Sequence, residues 1–277
     1  MINFSNLEIL PNRASLIIKG PDAVKFLQGI TTNDVIKNAF SYNYFLNNQG
    51  RYLFDFFVYK SRDDLCFLDI DKERLDIFIS KLNMYKMRSD VEIEDISDEY
   101  SVVYSSTVIE FGAIYSERDP RCKNMGFRAV VASSVASDIG KVIENLYNQD
   151  KYKHAIVDGV PDLIYERSIP VEYGAEELNA IDYNKGCYIG QEVISRAKYQ
   201  GVVRKKIFKL KFGAKIAFIA SGTEITDLQG NKIGIVCSNY EDLAIALIRE
   251  EKYLGLESEK AMINDYLCEI SLPSWRQ

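Results

Sequence analysis

A cysteine flanked by two glycines is the segment of this sequence best suited to chemistry. In the run Lys185-Gly186-Cys187-Tyr188-Ile189-Gly190-Gln191-Glu192, the glycines let the backbone turn sharply and leave the sulfur uncrowded. Gly190 is expected to begin a helix through Lys198, so Cys187 would sit just ahead of a helix N-terminus, which carries about half a positive charge. This charge and the nearby Lys185 both favour the thiolate, the reactive form of cysteine. The pattern predicts a functional thiol at Cys187.

The remaining cysteines predict buried side chains rather than a metal site. The five cysteines lie far apart without a Cys-x-x-Cys pair, and His154 is the only histidine, whereas zinc sites use closely spaced cysteines and histidines. We therefore expect no intrinsic metal, and we give His154 no role. A free cysteine in an apolar run is usually a small buried side chain. That is the expectation for Cys66, Cys122, Cys237 and Cys268.

The same composition predicts a cytoplasmic protein without membrane contact. An odd, sparse set of cysteines is typical of a reducing compartment. The first 16 residues contain Glu8 and Pro11 but no apolar core, which is unlike a signal peptide. Apolar runs such as Phe54–Tyr59 are far shorter than the ~20 residues that a membrane span needs.

A basic stretch follows the cysteine segment in a protein that is acidic overall. The net charge is −6, and residues 193–223 contain no acid but eight lysines and arginines. One interpretation is a solvated strand face, and the other is a positive wall for an anionic ligand or an RNA phosphate. Glu192 and Arg196 are spaced i, i+4, which also fits a surface pair contributing about 0.3–0.5 kcal/mol. The acidic balance excludes non-specific coating of nucleic acid.

The elements that must position this segment form a mixture of strands and helices. A helix is expected after Asp22, because apolar side chains recur at i, i+3, i+4 and i+7 from Ala23 to Ile30. The run Asn47-Asn48-Gln49-Gly50 between two strand-like segments is typical of a hairpin turn, in which Gly50 supplies the left-handed backbone conformation. Strands mixed with helices without strict alternation favour an α+β fold over a doubly wound parallel sheet. The other expected elements are strands at Ser15–Ile18, Tyr42–Leu46, Tyr52–Tyr59, Leu65–Ile70, Tyr100–Tyr104 and Gly126–Ala132, and helices at Asp71–Lys86 and Ser137–Tyr147.

The later part of the chain changes character twice. Ile156–Ala180 has no clear period, and its length and apolar content predict an ordered loop that builds a site. From residue 202 onward, short strands with turn signals predict a small barrel or sandwich. We place a domain boundary near residue 201, between an α+β region (1–200, two lobes, with the cysteine segment) and a β domain (201–277). Its expected strands are Val202–Leu210, Lys215–Ala220, Lys232–Cys237, Leu243–Ile248 and Tyr266–Leu272.

The cysteine segment resembles a known family signature. Residues 185–192 reproduce K-G-C-Y-x-G-Q-E, the signature of the YgfZ-type folate-binding proteins, and the likeness continues through Arg196 to Gly201, Arg204 and Lys205. These proteins are relatives of the glycine-cleavage T-protein (aminomethyltransferase) and include a mitochondrial iron–sulfur assembly factor. Further segments resemble the family in the expected order. They are Leu27-Gln28-Gly29, Thr32-Asn33-Asp34, Gln49-Gly50-Arg51, Asp55, Asp119-Pro120-Arg121, Gly126-Phe127-Arg128, Gly159-Val160-Pro161, Pro170-Val171-Glu172, Gly234, and Leu243-Ala244 through Arg249.

The resemblance implies three lobes around a central cavity that accepts tetrahydrofolate, with a C-terminal β-barrel. A flat pteridine suits aromatic and carboxylate contacts, and the glutamate tail of folate suits lysine and arginine. Asp55 is the candidate for the pteridine, although strand alternation also allows it to face outward. The other folate-binding candidates are Arg51, Lys185, Gln191, Glu192 and Arg196.

Three departures from the T-protein pattern argue against ordinary aminomethyl transfer. At this hairpin the T-protein pattern is G-G-x-x-D-D. This chain has Arg51 in place of the second glycine and Phe54 in place of one acid. T-proteins also typically lack the cysteine found here at position 187. A lost acid and a gained thiol favour an accessory role over transfer.

The sequence therefore predicts a tetrahydrofolate-binding accessory protein for iron–sulfur cluster assembly or repair, and thereby for tRNA modification. It would act with assembly or client proteins through Cys187, as a shared cluster ligand, because its other cysteines are too scattered for the usual set of four. One alternative is an enzyme, a one-carbon transferase acting on tetrahydrofolate. Another is an RNA-associated module that uses the basic residues Arg204, Lys205 and Lys206.

Overall fold

The chain is built from two antiparallel sheets and a closed barrel, in a computed structural model that describes residues 7–109, 112–137, 145–201 and 203–276. Its strands β1 to β15 are Leu7–Ile9, Arg13–Lys19, Phe40–Leu46, Tyr52–Arg62, Leu65–Asp71, Glu92–Asp95, Tyr100–Ser105, Ala113–Arg118, Phe127–Ala132, Lys205–Phe212, Glu224–Thr226, Lys232–Tyr240, Leu243–Arg249, Lys260–Ile263 and Tyr266–Ser271. Its helices α1 to α7 are Ala23–Ile30, Leu75–Lys86, Ser133–Ser137, Leu146–His154, Gly159–Asp162, Gln191–Tyr199 and Glu250–Leu254.

A five-stranded sheet in the order β3-β4-β5-β2-β6 forms the first lobe. Helix α1 buries the apolar face that its spacing predicts. Phe78 of α2 packs on Phe54 and Phe56 of β4, with ring centroids 5.0 and 4.9 Å apart. On the opposite face of β4, Tyr52 and Phe57 join a hydrophobic cluster shared with the rest of the chain. Strand β4 is therefore buried on both faces, and a polar residue on it lies inside the protein.

A four-stranded sheet in the order β1-β7-β9-β8 forms the second lobe. The strands predicted at Tyr100–Tyr104 and Gly126–Ala132 correspond to β7 and β9 to within one residue. The helix predicted at Ser137–Tyr147 falls largely outside the described residues. On either side of that gap, α3 ends at Ser137 and α4 begins at Leu146.

The six C-terminal strands close into an antiparallel barrel in the order β10-β13-β12-β11-β14-β15. The predicted strand Lys215–Ala220 was wrong, because this segment is irregular and Phe218 in it is 85% exposed. A strand needs a partner on at least one side, and here the amides of Ile216 and Ile219 reach only single oxygens of Glu241 and Asn239. The short strands β11 and β14 complete the barrel instead.

The long connection between α4 and α6 is ordered, as its apolar content predicts. Ile156, Val157 and Leu178 are fully buried, in the hydrophobic cluster that also contains residues of both sheets and the barrel. Near its middle, the indole of Trp275 lies so close to Gly174 that an added Cβ would be 2.5 Å from the ring. The connection thus packs between the lobes and the barrel. None of the helices in the described ranges is long and apolar enough to cross a membrane.

Candidate functional site

Cys187 lies exposed on the loop that leads into α6. Its neighbour Tyr188 is buried at 7% exposure, and Gly190, with φ +81°, directly precedes the helix. The other four cysteines are buried, as expected. Burial raises the pKa of the Cys66 and Cys268 thiols to about 12. Since all five cysteines are described, Cys187 is the one thiol that solvent reaches.

Two glycines let the cysteine loop rest directly on the β3–β4 hairpin. A Cβ atom added to Gly190 would lie 2.7 Å from the carbonyl oxygen of Asn47 and 3.2 Å from the Cα of Gly50. A Cβ atom added to Gly50 would lie 3.0 Å from the Cβ of Val193 in α6. Both glycines also have positive φ, which other residues rarely adopt. The hairpin tip therefore fixes where α6 begins and where Cys187 is presented.

The Lys185 ammonium group anchors the same loop to the C-terminal end of α1. Its Nζ atom donates to the carbonyl oxygens of Gln28, Thr31 and Asn33 at 2.8, 2.5 and 2.8 Å. A cation is favourable there because the last carbonyls of a helix lack partners and carry partial negative charge. Burial lowers the pKa of Lys185 to about 8, although Asp34 opposes this, so the charged form predominates at pH 7.

This placement differs from the expectation that Lys185 acts beside the thiol or on an anionic ligand. Its amino group points at backbone carbonyls at and just beyond the end of α1, and the residue is 6% exposed. A lysine ammonium has three donors, and here all three have acceptors. Its role as a folate contact stays an untested prediction that would require these bonds to break.

The segment after α1 holds the loop that precedes the cysteine. The Thr32 hydroxyl donates to the carbonyl of Ala180 at 2.6 Å, and the Asn33 amide donates to the carbonyl of Asn179 at 2.6 Å. The backbone N–H of Asp182 returns a bond to the Thr32 carbonyl at 3.0 Å. In the sequence, Thr32 and Asn33 stand out as polar residues between a helix and a strand. Nothing in the sequence indicates that they bind a loop more than 140 residues away.

Asp55 lies inside the protein, on the face of β4 opposite Phe54. Its side chain is 3% exposed. Its two carboxylate oxygens accept hydrogen bonds from the hydroxyls of Tyr42 and Tyr52, at 2.9 and 3.0 Å. Gly159 covers it so closely that an added Cβ would be 1.7 Å from the carboxylate. Because the carboxylate is buried beneath Gly159, a pteridine has no access to it in this conformation.

The remaining folate candidates lie elsewhere. Arg51 Nη1 donates to the carbonyl of Arg167 at 2.9 Å. Glu192 and Arg196 are bonded to each other at 2.6 Å with side chains 84% and 65% exposed, which agrees with the surface-pair interpretation. Gln191 is the first residue of α6. None of the six candidates is among the described residues that line four clefts of the molecule, on the barrel, beside α6 and beside α1.

An open cleft beside α6 has walls better suited to a flat ring. We call it the α6 cleft; its volume is about 540 Å³, and its lining includes Phe40, Tyr183, Asn184, Lys198 and Tyr199. The Lys198 ammonium lies 3.8 Å from the centre of the Tyr183 ring and pairs with Glu176. Asn184 is three residues from Cys187. Aromatic and amide groups thus line a cavity whose wall includes a residue of the segment that leads to the thiol.

Beneath these features, a buried network of ion pairs joins the lobes. We call it the interlobe network. Its members are Arg13, Asp69, Asp119, Arg121, Arg128, Lys151, Asp158 and Asp162. Burial alone would raise the pKa of Asp158, but Lys151 and Arg121 hold it well below its ordinary range. In the described part of the chain, no group of three or more Asp, Glu, His and Cys side chains is arranged to hold a metal ion.

Comparison with known proteins defines the class to which this architecture corresponds. Residues 12–104 match the GCVT N-terminal domain family, and residues 204–277 match the CAF17 C-terminal beta-barrel domain family. The glycine cleavage system aminomethyltransferase T from Bartonella henselae superposes with a TM-score of 0.74 over 97% of this chain and 84% of its own, at 14% identity. The chain therefore has a T-protein-like fold with a closed six-stranded C-terminal barrel.

The similar curated proteins are iron–sulfur cluster assembly factors. The IBA57 homologue of Pyricularia oryzae is 32% identical over 72% of this chain and 55% of its own length, and that of Dictyostelium discoideum is 31% identical over 78% and 66%. Human IBA57 is 28% identical over 96% of this chain and 84% of its own length. This chain thus spans less than two thirds of the first two relatives.

The predicted cytoplasmic location was wrong. The curated relatives from Pyricularia, Dictyostelium, human and mouse are all named as mitochondrial proteins. The error has a simple physical source. A scarcity of disulfides reports a reducing environment, and that property does not distinguish one reducing compartment from another.

We expect one fast-reacting thiol per native chain. Cys187 is exposed while the other four cysteines are buried, so an aromatic disulfide reagent at neutral pH should release about one equivalent of thiolate quickly and all five only in denaturant. The Cys187→Ala variant should lose the fast phase alone. A second fast thiol in the native variant would contradict the described burial.

Replacing Lys185 by methionine should loosen the cysteine loop. At pH 7 the substitution leaves three backbone carbonyls without their charged donor, which we expect to lower the free energy of unfolding by about 2–3 kcal/mol. Chemical denaturation measures the change. Lys211→Met removes an exposed lysine on β10 and should change stability by less than about 0.5 kcal/mol. Equal effects of the two substitutions would show that Lys185 is not an anchor.

Proposed function

We propose that this protein is an accessory factor for iron–sulfur cluster assembly or repair and that the Cys187 sulfur contacts the cluster. The observation that carries the proposal is one exposed thiol on a loop anchored from two sides, by Lys185 and by the Gly50–Gly190 contact. The names of the similar proteins support a cluster as the substrate. A thiolate is an ordinary ligand of cluster iron.

In this proposal, Cys187 supplies one ligand and a partner protein supplies the others. Clusters are usually held by four cysteine sulfurs, and the remaining four cysteines of this chain are buried. Val193 and Tyr199 on α6 are also exposed, at 39% and 69%. A partner can reach the Cys187 sulfur from solvent, because that side chain is exposed.

Folate binding is the second part of the proposal, and the α6 cleft is its best-suited location. The T-protein-like fold supports a folate link. Phe40, Tyr183 and Tyr199 provide faces for a pteridine, whereas the Asp55 carboxylate is closed by Tyr42 and Tyr52. When bound, folate would supply a carrier of one-carbon units. The protein residues named here would only bind and orient it.

The alternative functions have weaker support. The T-protein pattern has a second acid immediately before the position of Asp55, but this chain has Phe54 there, and the Phe54 ring packs on Phe78 on the opposite face of β4. The RNA-binding strip is partly neutralised, because Lys206 pairs with Glu250 at 2.8 Å. An influence on tRNA modification is proposed only as an indirect effect, through modification enzymes that carry clusters.

The Cys187→Ala variant should fail to support cluster-dependent growth. In cells that depend on this factor, we expect the activity of a [4Fe–4S] enzyme to fall to the level of the empty vector, because no other thiol is exposed. The variant should melt within about 2 °C of the native protein, since an exposed side chain is removed. Gln200→Ala, an exposed change just after α6, is the control and should retain full activity. Full activity of Cys187→Ala would refute the thiol proposal.

Anaerobic calorimetry with tetrahydrofolate tests the second part separately. We expect binding to the native protein and to Cys187→Ala alike, and about tenfold weaker binding to Tyr199→Ala, because one stacked aromatic contributes roughly 1–3 kcal/mol. Gln200→Ala should bind normally. Loss of binding in Asp55→Asn with unchanged Tyr199→Ala would place folate at the hairpin carboxylate. No binding to the native protein would refute the folate part and leave the thiol proposal standing.

A further inference from the structure

The barrel carries a cleft whose lining is cationic in a protein of net charge −6. We call it the cationic cleft. Its charged residues are Lys205, Lys232, Arg249 and Lys252, and Ile235 and Leu247 form apolar parts of its wall. Its volume is about 520 Å³, within the range of small-molecule sites. None of the described residues that line it is acidic.

Two of its cations stand directly opposite each other on neighbouring strands. In the ladder between β10 and β13, Lys205 is the partner of Arg249. Like charges in this arrangement destabilise a sheet, whereas an opposite charge at either position would stabilise it. Arg249 therefore occupies a position that a carboxylate would fill better if stability alone mattered.

Two of these four cations form ion pairs with nearby acids, and the charge of Lys252 also acts at longer range on Asp227, whose pKa it helps to lower. Lys205 lies 3.7 Å from Glu172, and Lys232 pairs with Glu224. Arg249 and Lys252 have no carboxylate within ion-pair distance in the described part of the chain. Two cations beside an apolar wall are thus left available to an external anion.

The surroundings favour a small ligand over a nucleic-acid strand. A nucleic-acid strand needs a continuous basic track along its backbone. Around this cleft, acidic side chains lie next to the lysines and interrupt such a track. On one side, Lys206 is already paired with Glu250. The adjacent cleft is lined by Glu172, Glu176 and Glu177.

We propose that the cationic cleft is a second ligand site, for a small molecule that carries a phosphate or carboxylate on an apolar or aromatic body. The Arg249 guanidinium would hold the anion through paired hydrogen bonds. Lys252 would add a second charge, and Ile235 and Leu247 would contact the apolar body. The site is independent of Cys187 and of the α6 cleft.

Phenyl phosphate is the probe, observed by amide chemical shifts in the intact protein. We expect saturable shifts at Ile235, Leu247 and Arg249, and about tenfold weaker binding in the double variant Arg249→Gln/Lys252→Gln. The matched control, Lys211→Gln/Lys260→Gln, removes two exposed barrel cations outside the cleft and should bind normally. Inorganic phosphate supplies only the anion and benzyl alcohol only the aromatic body, so each should bind more weakly than phenyl phosphate.

A charge-reversing variant separates binding from folding. Arg249→Glu should place opposite charges across the β10–β13 ladder, raise Tm by about 1–4 °C and abolish binding of the probe. A fall in Tm would mean that Arg249 is structural and would overturn the proposal. So would equal loss of binding in the control variant, equal shifts with benzyl alcohol, or tighter binding of a uridine oligonucleotide than of phenyl phosphate at the same residues.

Discussion

The interlobe network is the constraint on which the rest of the molecule depends. Asp69 in the first lobe accepts bonds from Arg13 of its own sheet, at 2.6 Å, and from Arg128 of the second lobe, at 2.7 Å. Arg121 and Lys151 share Asp158 in the connection, at 2.6 and 3.0 Å, and Ser238 of the barrel donates to Asp162 in the same connection. Removing one member of such a buried pair costs about 3–5 kcal/mol, because the partner charge is left buried without compensation.

The cysteine loop is held in place by two local contacts. The Lys185 ammonium satisfies the end of α1, and the contact between Gly50 and Gly190 brings the hairpin against the start of α6. Both anchors act on backbone atoms, so they fix the path of the loop while leaving the Cys187 side chain in solvent. A ligand for a shared cluster has to be accessible and fixed in position at once, and this arrangement provides both.

Local patterns predicted the parts of this structure that local physics decides. The apolar spacing of α1, the glycine in the β3–β4 hairpin and the strand-rich barrel were all recognisable, and the T-protein-like fold predicted by resemblance was confirmed. Contacts across more than a hundred residues were not recognisable. Lys185 looked like a charge beside a thiol but caps a distant helix. Asp55 looked like an open ligand but is covered by Gly159, more than a hundred residues away, in addition to its bonds from the nearby Tyr42 and Tyr52. The segment Lys215–Ala220 is not the predicted strand, because it is largely exposed and pairs with no neighbouring strand among the described residues.

The central claim is that Cys187 provides one sulfur ligand to a cluster shared with another protein. Mössbauer spectroscopy of the protein after anaerobic incubation with a ⁵⁷Fe-labelled [2Fe–2S] donor protein tests it most directly, on the native chain and on Cys187→Ala. The account predicts an altered iron signal that co-purifies with the native chain in complex with the donor and is absent with the variant. The same signal with both proteins would show that the cluster is held without Cys187 and would contradict the account.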